Sequence, residues 1–284
     1  MKKIKIITDS CSDISLETAQ KYGIHLLPVH LYFGDETYLD RYEISTEEFY
    51  KKLRQTDIHP KTSLITVQEH MDAYKKYVND YTIIHIPMSS STSGTYQSAQ
   101  LAKESVIDEV KDADIRIVEN CQLSYGYGMW VIEAAKMAND GKSAEEIISM
   151  LEDKIKLSEV IFSVTGLDYL KKGGRISQTA KILADVLDIS PILKVESGLV
   201  VNKDKVRGKK KIIPKMVDIL INEASENTDN PIFVMCGGDL EKANLLKDKI
   251  LEKTAFKNIY IEDIGPCIGI HAGPDTLGLI FEKK

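Results

Sequence analysis

Short β-branched runs recur along the chain, separated by stretches whose apolar residues fall at helical spacing. The runs are IKIIT (4–8), TIIHI (82–86), IRIVE (115–119), VIFSV (160–164), ILKVES (192–197), PIFVM (231–235), NIYIED (258–263) and LGLIF (277–281). Runs of this length read as strands, and their alternation with amphipathic stretches predicts an α/β fold. Three helix starts are marked by a hydroxyl followed three residues later by Glu: Ser45 with Glu48, Thr66 with Glu69 and Ser143 with Glu146. Such a pair satisfies two backbone amides that the first helical turn leaves without partners. The segment from Tyr125 to Met137 is apolar nearly all round, which predicts a helix buried on several sides.

The pattern changes after about residue 160. LDYLKKGGRIS brings paired glycines, with a helix stop at Gly173 and a new helix carrying Ile176, Ala180, Leu183 and Leu187. ISPILKVESGLVVNKDKV then reads as a hairpin turning at Ser197 and Gly198. With 284 residues in the chain, two α/β domains are expected, 1–160 and 161–284. No repeat or low-complexity segment is evident.

Composition narrows the partners. Hydrophobic residues make up 43% and charged residues 28%, an ordinary globular balance, and the net charge of -6 disfavours nucleic acid and anionic membrane surfaces. No apolar run approaches the roughly 20 residues that span a bilayer. No stable membrane insertion is expected. MKKIKIITDS turns strand-like too early for a secretory signal, so a cytoplasmic location is expected. Cys11, Cys121, Cys236 and Cys267 lack the spacing of a zinc site, and they are read as free buried thiols with no metal or cofactor.

Three loops carry candidate chemistry. In IIHIPMSSSTSGTYQSAQLAKESV a strand ends in a run of hydroxyls and Gly94, then enters a helix with apolar residues at Tyr96, Ala99, Ala102 and Val106. Helix amides and the helix dipole would stabilise an anion there, although Ser93 is also well placed simply to cap the helix. Thr62 and Ser63, in KTSLIT, form a second hydroxyl pair. The third loop, IGPCIGIHAGPDTLG, surrounds His271 with glycines and prolines, a composition that lets backbone approach a ligand closely.

Three further segments have two readings each. TDSCSD (8–13) brings Asp9, Ser10, Ser12 and Asp13 either to the same crevice or into a helix-capping turn. Arg175 holds a loop or faces a ligand. Lys203, Lys205, Arg207, Lys209, Lys210 and Lys211, ahead of a helix from about Pro214, form a solvated face or contact a phosphate or acidic partner. A P-loop, an HExxH motif, a GxSxG elbow and a dinucleotide fingerprint are absent from the sequence. The residue types for a serine hydrolase exist as an alternative: Ser93 and His271, oriented by Asp9 or Asp275.

Taken in order, ITDSCSD, KTS, SSSTSGTYQSA, LDYLKKGGRIS, KVRGKKK and GIHAGPDTLG resemble the DegV family of fatty-acid-binding proteins over nearly the whole chain. The resemblance implies two α/β domains enclosing one long-chain fatty acid such as palmitate. It further implies a separate fatty acid kinase subunit that receives the bound acid. The carboxylate would lie near Thr62 and Ser93 with His271 close by, giving Thr62, Ser63, Ser93, Gly94, Thr95 and His271 as the candidate set. Arg207 would lie on the side a kinase partner engages. The chain departs from the family pattern at Asp275, where a second glycine is usual, at Asn120-Cys121 for Asp-Ser, at Ser190 for lysine, and at Ile65-Thr66 after the Thr62-Ser63 pair. Asp275 is expected to bear on the role of His271.

Overall fold

The computed structural model describes residues 2–175 and 189–284. The helix expected over Ile176, Ala180, Leu183 and Leu187 lies outside the described residues. The first half runs β1 (Lys3–Asp9), α1 (Leu16–Tyr22), β2 (His25–Leu27), β3 (His30–Phe33), β4 (Glu36–Leu39), α2 (Thr46–Gln55), β5 (Lys61–Ser63), α3 (Val67–Lys75), β6 (Tyr81–Ile86), α4 (Thr95–Glu109), β7 (Ile115–Ile117), α5 (Tyr125–Asn139) and α6 (Ala144–Lys154). The second half runs β8 (Ser158–Ser163), α7 (Asp168–Gly173), β9 (Ile189–Glu196), β10 (Leu199–Arg207), α8 (Ile212–Glu223), β11 (Ile232–Cys236), α9 (Leu240–Lys253), β12 (Ile259–Asp263), α10 (Pro266–Ala272) and β13 (Leu277–Glu282).

Two α/β domains result. In the first, a parallel sheet of order β2-β1-β6-β7 is buried on both faces, as continuous apolar runs such as Ile83 and Ile84 require. All three capping boxes form. A small antiparallel sheet, β4-β3-β5, lies beside it and was not foreseen. Its strands are three or four residues long and carry too little alternation to register as a pattern. Thr62 and Ser63 therefore sit in strand β5, not in a bare loop before α3.

The second domain holds a mixed sheet of order β10-β9-β8-β13-β11-β12. Its central strands alternate strictly between two cores, following the period of two that a pleated strand imposes. Ile161, Ile232, Val234, Leu277, Leu279 and Phe281 face a core shared with α8 and α9. Val160, Phe162, Phe233, Met235 and Ile280 face the opposite way, toward Tyr125 and Met129 of α5. The other side of α5, with Tyr127, Val131, Ala134 and Ala135, belongs to the first domain's core. This helix is buried on two sides, as its all-round apolar sequence predicts.

The expected boundary between residues 160 and 161 falls inside β8, whose whole length pairs within the second sheet. A later segment crosses back: Cys267 and Ile270 of α10 pack in the first core. The hairpin turns as expected, with Ser197 at φ 51 and Gly198 at φ 78, the doubly positive geometry of a tight hairpin. The helix expected from about Pro214 begins two residues earlier, at Ile212. No helix among the described residues is long and apolar enough to cross a membrane.

Candidate ligand site

The TDSCSD segment is the hub from which the site is built. Asp9 closes β1 and caps the short turn after it, accepting from Cys11 N at 3.1 Å. The same carboxylate accepts from Tyr127 Oη at 2.8 Å and from Met88 N at 2.5 Å, where the serine-rich loop leaves β6. Asp13, in the left-handed region at φ 59, accepts from Arg41 Nη2 at 3.1 Å, from Gly265 N at 2.8 Å just ahead of α10, and from Ser124 Oγ. Burial pushes Asp9 up to about 6 and raises Asp13, while the hydrogen bonds to Asp9 and the Arg41 charge beside Asp13 pull the other way. None of Asp9, Ser10, Ser12 and Asp13 lines the cavity between the two domains, and α1 is capped by Ser15 rather than by this segment. It forms a turn capped by its own Asp9, and its acids fix three elements around the crevice.

The serine loop closes on itself, with Thr92 N and Ser93 N both donating to Ser89 O at 3.1 Å. Helix α4 begins at Thr95 with Gly94 as its cap. The Ser93 hydroxyl accepts from Thr95 N at 3.2 Å and lies 2.9 Å from Thr95 Oγ1, which in turn accepts from Ile65 N at 3.3 Å. A side chain at Gly94 would press on Leu64, 2.9 Å from an added Cβ. The segment that follows strand β5, which carries Thr62, and the loop carrying Ser93 are thus in direct contact. The hairpin tip of the second domain also reaches here: a Cβ at Gly198 would collide with the Ser89 hydroxyl, so this position demands glycine for space as well as for its positive φ.

His271, one residue before the end of α10, meets Thr62: Nε2 lies 3.1 Å from Thr62 Oγ1. Its Nδ1 is buried, has no hydrogen-bond partner among the described residues, and faces Gly173 so closely that a Cβ there would collide with it. Burial lowers the imidazole pKa to about 4, assisted by the positive charge of Arg175 and by His59. The ring is neutral at ordinary pH and carries one N–H.

Between the two domains lies an apolar cavity of about 80 Å³. Its floor is the inner face of the second sheet, with Val160, Phe162, Val195, Val200, Met235 and Ile280. Its roof comes from Met88, Leu123 and the α10 segment. Thr92, Ser124, Arg175, His271 and Thr276 are the polar residues of its lining. Among the candidate residues, His271 is in the wall itself, Thr62 reaches it through His271, and Ser93 adjoins the wall residue Thr92.

Of its two readings, Arg175 meets the loop-holding one. Its Nε donates to Thr92 O at 3.3 Å and its Nη1 to Gly173 O at 2.5 Å, tying α7 to the serine loop, and it also lines the cavity. The wall therefore contains a cation. Arg207 ends β10 opposite Ile189, at the far end of the hairpin from the Ser197–Gly198 tip. At about 3.3 Å per residue, that strand places it roughly 26 Å from the tip that touches the serine loop. Lys203 is engaged with Glu159 and Glu223, so the basic run is partly neutralised.

The hydrolase arrangement is not assembled. Ser93 engages Thr95, and His271 engages Thr62. Asp9 is committed to Met88, Tyr127 and Cys11, and the Asp275 carboxylate pairs with Arg54 Nη2 at 2.7 Å. Asp275 sits at φ 61, where aspartate is tolerated in place of glycine, and its charge is directed to α2 rather than to His271. Asn120 has a structural task of its own, donating to Pro87 O at 2.5 Å at the start of the serine loop.

Fold and site together define an α/β protein with an apolar cavity between two domains, its lining including the neutral His271 and Arg175. The chain belongs to the DegV family, whose model, described as an uncharacterised protein of the DegV family, matches residues 3–284. A DegV domain-containing protein of Clostridium perfringens is 36% identical, covering 99% of this chain and 98% of that protein. Among solved structures, the chain is similar to one described as fatty acid binding of a DegV family protein from Thermus thermophilus. That likeness has a TM-score of 0.90 at 26% identity, over 99% of this chain and 100% of the other. It is also similar to DegV, a fatty acid binding protein from Bacillus subtilis, with a TM-score of 0.89 at 27% identity over the full length of both.

Proposed function

We propose that this protein encloses one long-chain fatty acid in the cavity between its domains, with the carboxylate held at the end formed by Thr62, Ser63, Ser93, Gly94, Thr95 and His271. The observation that carries the reading is the cavity itself: apolar along the second sheet, with His271 of α10 and Thr92 of the serine loop among its lining residues. A palmitate tail has about 14 methylenes, each worth about 0.8 kcal/mol on burial, for a gross gain near 11 kcal/mol before association costs. The head group then needs only enough partners to avoid a burial penalty. With His271 donating its one N–H to Thr62 Oγ1, the Thr62 hydroxyl proton is free for a carboxylate oxygen. Arg175 adds a charge-assisted donor at the same end.

The finer reading is that the bound acid is presented to a separate kinase subunit, which phosphorylates the carboxylate, with Arg207 at the partner contact. Hydroxyl donors leave one carboxylate oxygen less tightly held and available to attack a terminal phosphate. Native mass spectrometry of the purified protein tests the first step, the expected result being a mass excess that extracts as one fatty acid. A protein without excess mass that also fails to take up added palmitate would refute the carrier reading. Acyl phosphate formation with a cognate kinase tests the second, and Ser93→Ala should lower it; unchanged activity would count against the head-group assignment.

A further inference from the structure

One short helix is shared by the cavity wall and the first core, and its two faces meet different chemistry. In α10, Ile268, His271 and Ala272 recur at the spacing of one helical face and line the cavity. Cys267 and Ile270 lie on the other face and pack in the first core. There Cys267 meets Cys11, which sits in the turn after β1, and the two sulfurs are 2.8 Å apart. Both thiols are free and both are buried. Sulfurs in a disulfide are about 2.05 Å apart, so roughly 0.8 Å separates this contact from a bond.

The backbones that carry the thiols are held in register by the acid hub. Asp9 accepts from Cys11 N, and Asp13 accepts from Gly265 N, two residues before Cys267. The sulfurs therefore face each other from anchored positions.

We propose that Cys11 and Cys267 are a paired modification site, oxidised by a hydroperoxide to an intramolecular disulfide that locks α10 to the β1 turn, and that a ligand against the opposite face of α10 slows the reaction. One thiolate attacks the peroxide oxygen, the O–O bond breaks, and an alcohol leaves, giving a sulfenic acid. The second sulfur then attacks the first and expels water. Two thiols are oxidised, one peroxide is reduced to alcohol and water, and the two thiol protons end on those products. Contact with Cys267 and burial hold the Cys11 thiol well above its ordinary pKa, so thiolate forms when α10 lifts away from the turn. A ligand packed on Ile268 and Ala272 opposes that lifting. This second clause rests on the acyl-ligand reading; the linkage itself does not.

The test compares delipidated and palmitate-loaded wild type treated with hydrogen peroxide, with remaining thiols alkylated and peptides mapped by mass. The expected product is a single peptide pair joining Cys11 to Cys267, cleaved by dithiothreitol and absent from Cys11→Ser. It should form about tenfold or more slowly at saturating palmitate, because opening then competes with ligand binding. Exposed Cys121 is the internal control. If Cys121 is fully oxidised while Cys11 and Cys267 are recovered alkylated or as separate sulfinic acids, the linkage is overturned. Equal rates with palmitate shown bound by native mass spectrometry overturn the gating alone. Equal rates with no palmitate bound sink the acyl reading and the gating together, and leave the linkage standing.

Discussion

Replacing Asp13 by alanine should be felt from the first core to the ligand cavity. The carboxylate is fully buried and accepts from Arg41 at 3.1 Å, Gly265 N at 2.8 Å and Ser124. Arg41 is itself 9% exposed, so its guanidinium cannot turn to water when the partner is lost. Two unit charges at that separation interact by about 5 kcal/mol at an effective dielectric of about 20. Removing one member of a buried pair typically costs about 3–5 kcal/mol. Asp40, buried nearby, is a poor substitute because burial pushes its pKa up to about 7. The expected loss is therefore about 3–5 kcal/mol out of a typical total of about 5–15. Urea unfolding followed by circular dichroism measures it. Asp13→Ala with Arg41→Met should recover much of the loss, since no charge is then stranded and Asp40 can protonate. A loss below about 1 kcal/mol for the single variant, or a double variant no more stable than the single, would refute the reasoning.

Other outcomes follow from the same geometry. Gly173→Ala places a Cβ against His271 Nδ1 and should push the ring off Thr62. Fatty acid affinity should fall about tenfold with little change in stability, as fluorescent-ligand displacement would show. Leu123→Trp, half-buried in the cavity wall, should shift preference toward shorter acids, at about 0.8 kcal/mol for each methylene no longer buried. Competition across a chain-length series reads this directly, and an unchanged preference would move the acyl chain elsewhere.

Burial lowers His25 and His271 to about 4 and His85 well below its ordinary value. The folded state therefore binds fewer protons than the unfolded state below about 6.5. This contribution is intact above that pH and is lost as pH falls toward about 4. His85→Gln should flatten the decline by up to about 1.4 kcal/mol per pH unit in chemical denaturation at pH 6 and pH 5, and parallel slopes would exclude it.

The parts of the fold that were legible in sequence are those set by local rules. Ser45, Thr66 and Ser143 announce their helices through residues three positions away, and Ser197-Gly198 carries its own turn. The strands β2 to β5 were not legible, because a three-residue strand such as Lys61–Ser63 exists only through its pairing with β3. The site divides the same way. Ser93, Thr62 and His271 stand out by composition and family resemblance, and Thr62 does meet His271. Neither the Asp13 link to Gly265 nor the Asp275 link to Arg54 follows from spacing, since each joins segments more than two hundred residues apart. The pairing of Asp275 with Arg54 is why this departure from the family pattern leaves the imidazole untouched.

The placement of β13 has a consequence for biosynthesis. Leu277–Glu282 lies in the interior of its sheet, hydrogen-bonded to β8 on one side and β11 on the other, and it supplies Gly278 and Ile280 to the cavity. Both neighbours leave the ribosome first and must wait with open edges for the strand that joins them, at synthesis rates of about 5–20 residues per second. A nascent chain short of residue 277 lacks the strand that supplies Gly278 and Ile280 to the cavity wall and leaves edges of β8 and β11 unpaired. The cavity wall is complete only once translation has passed β13.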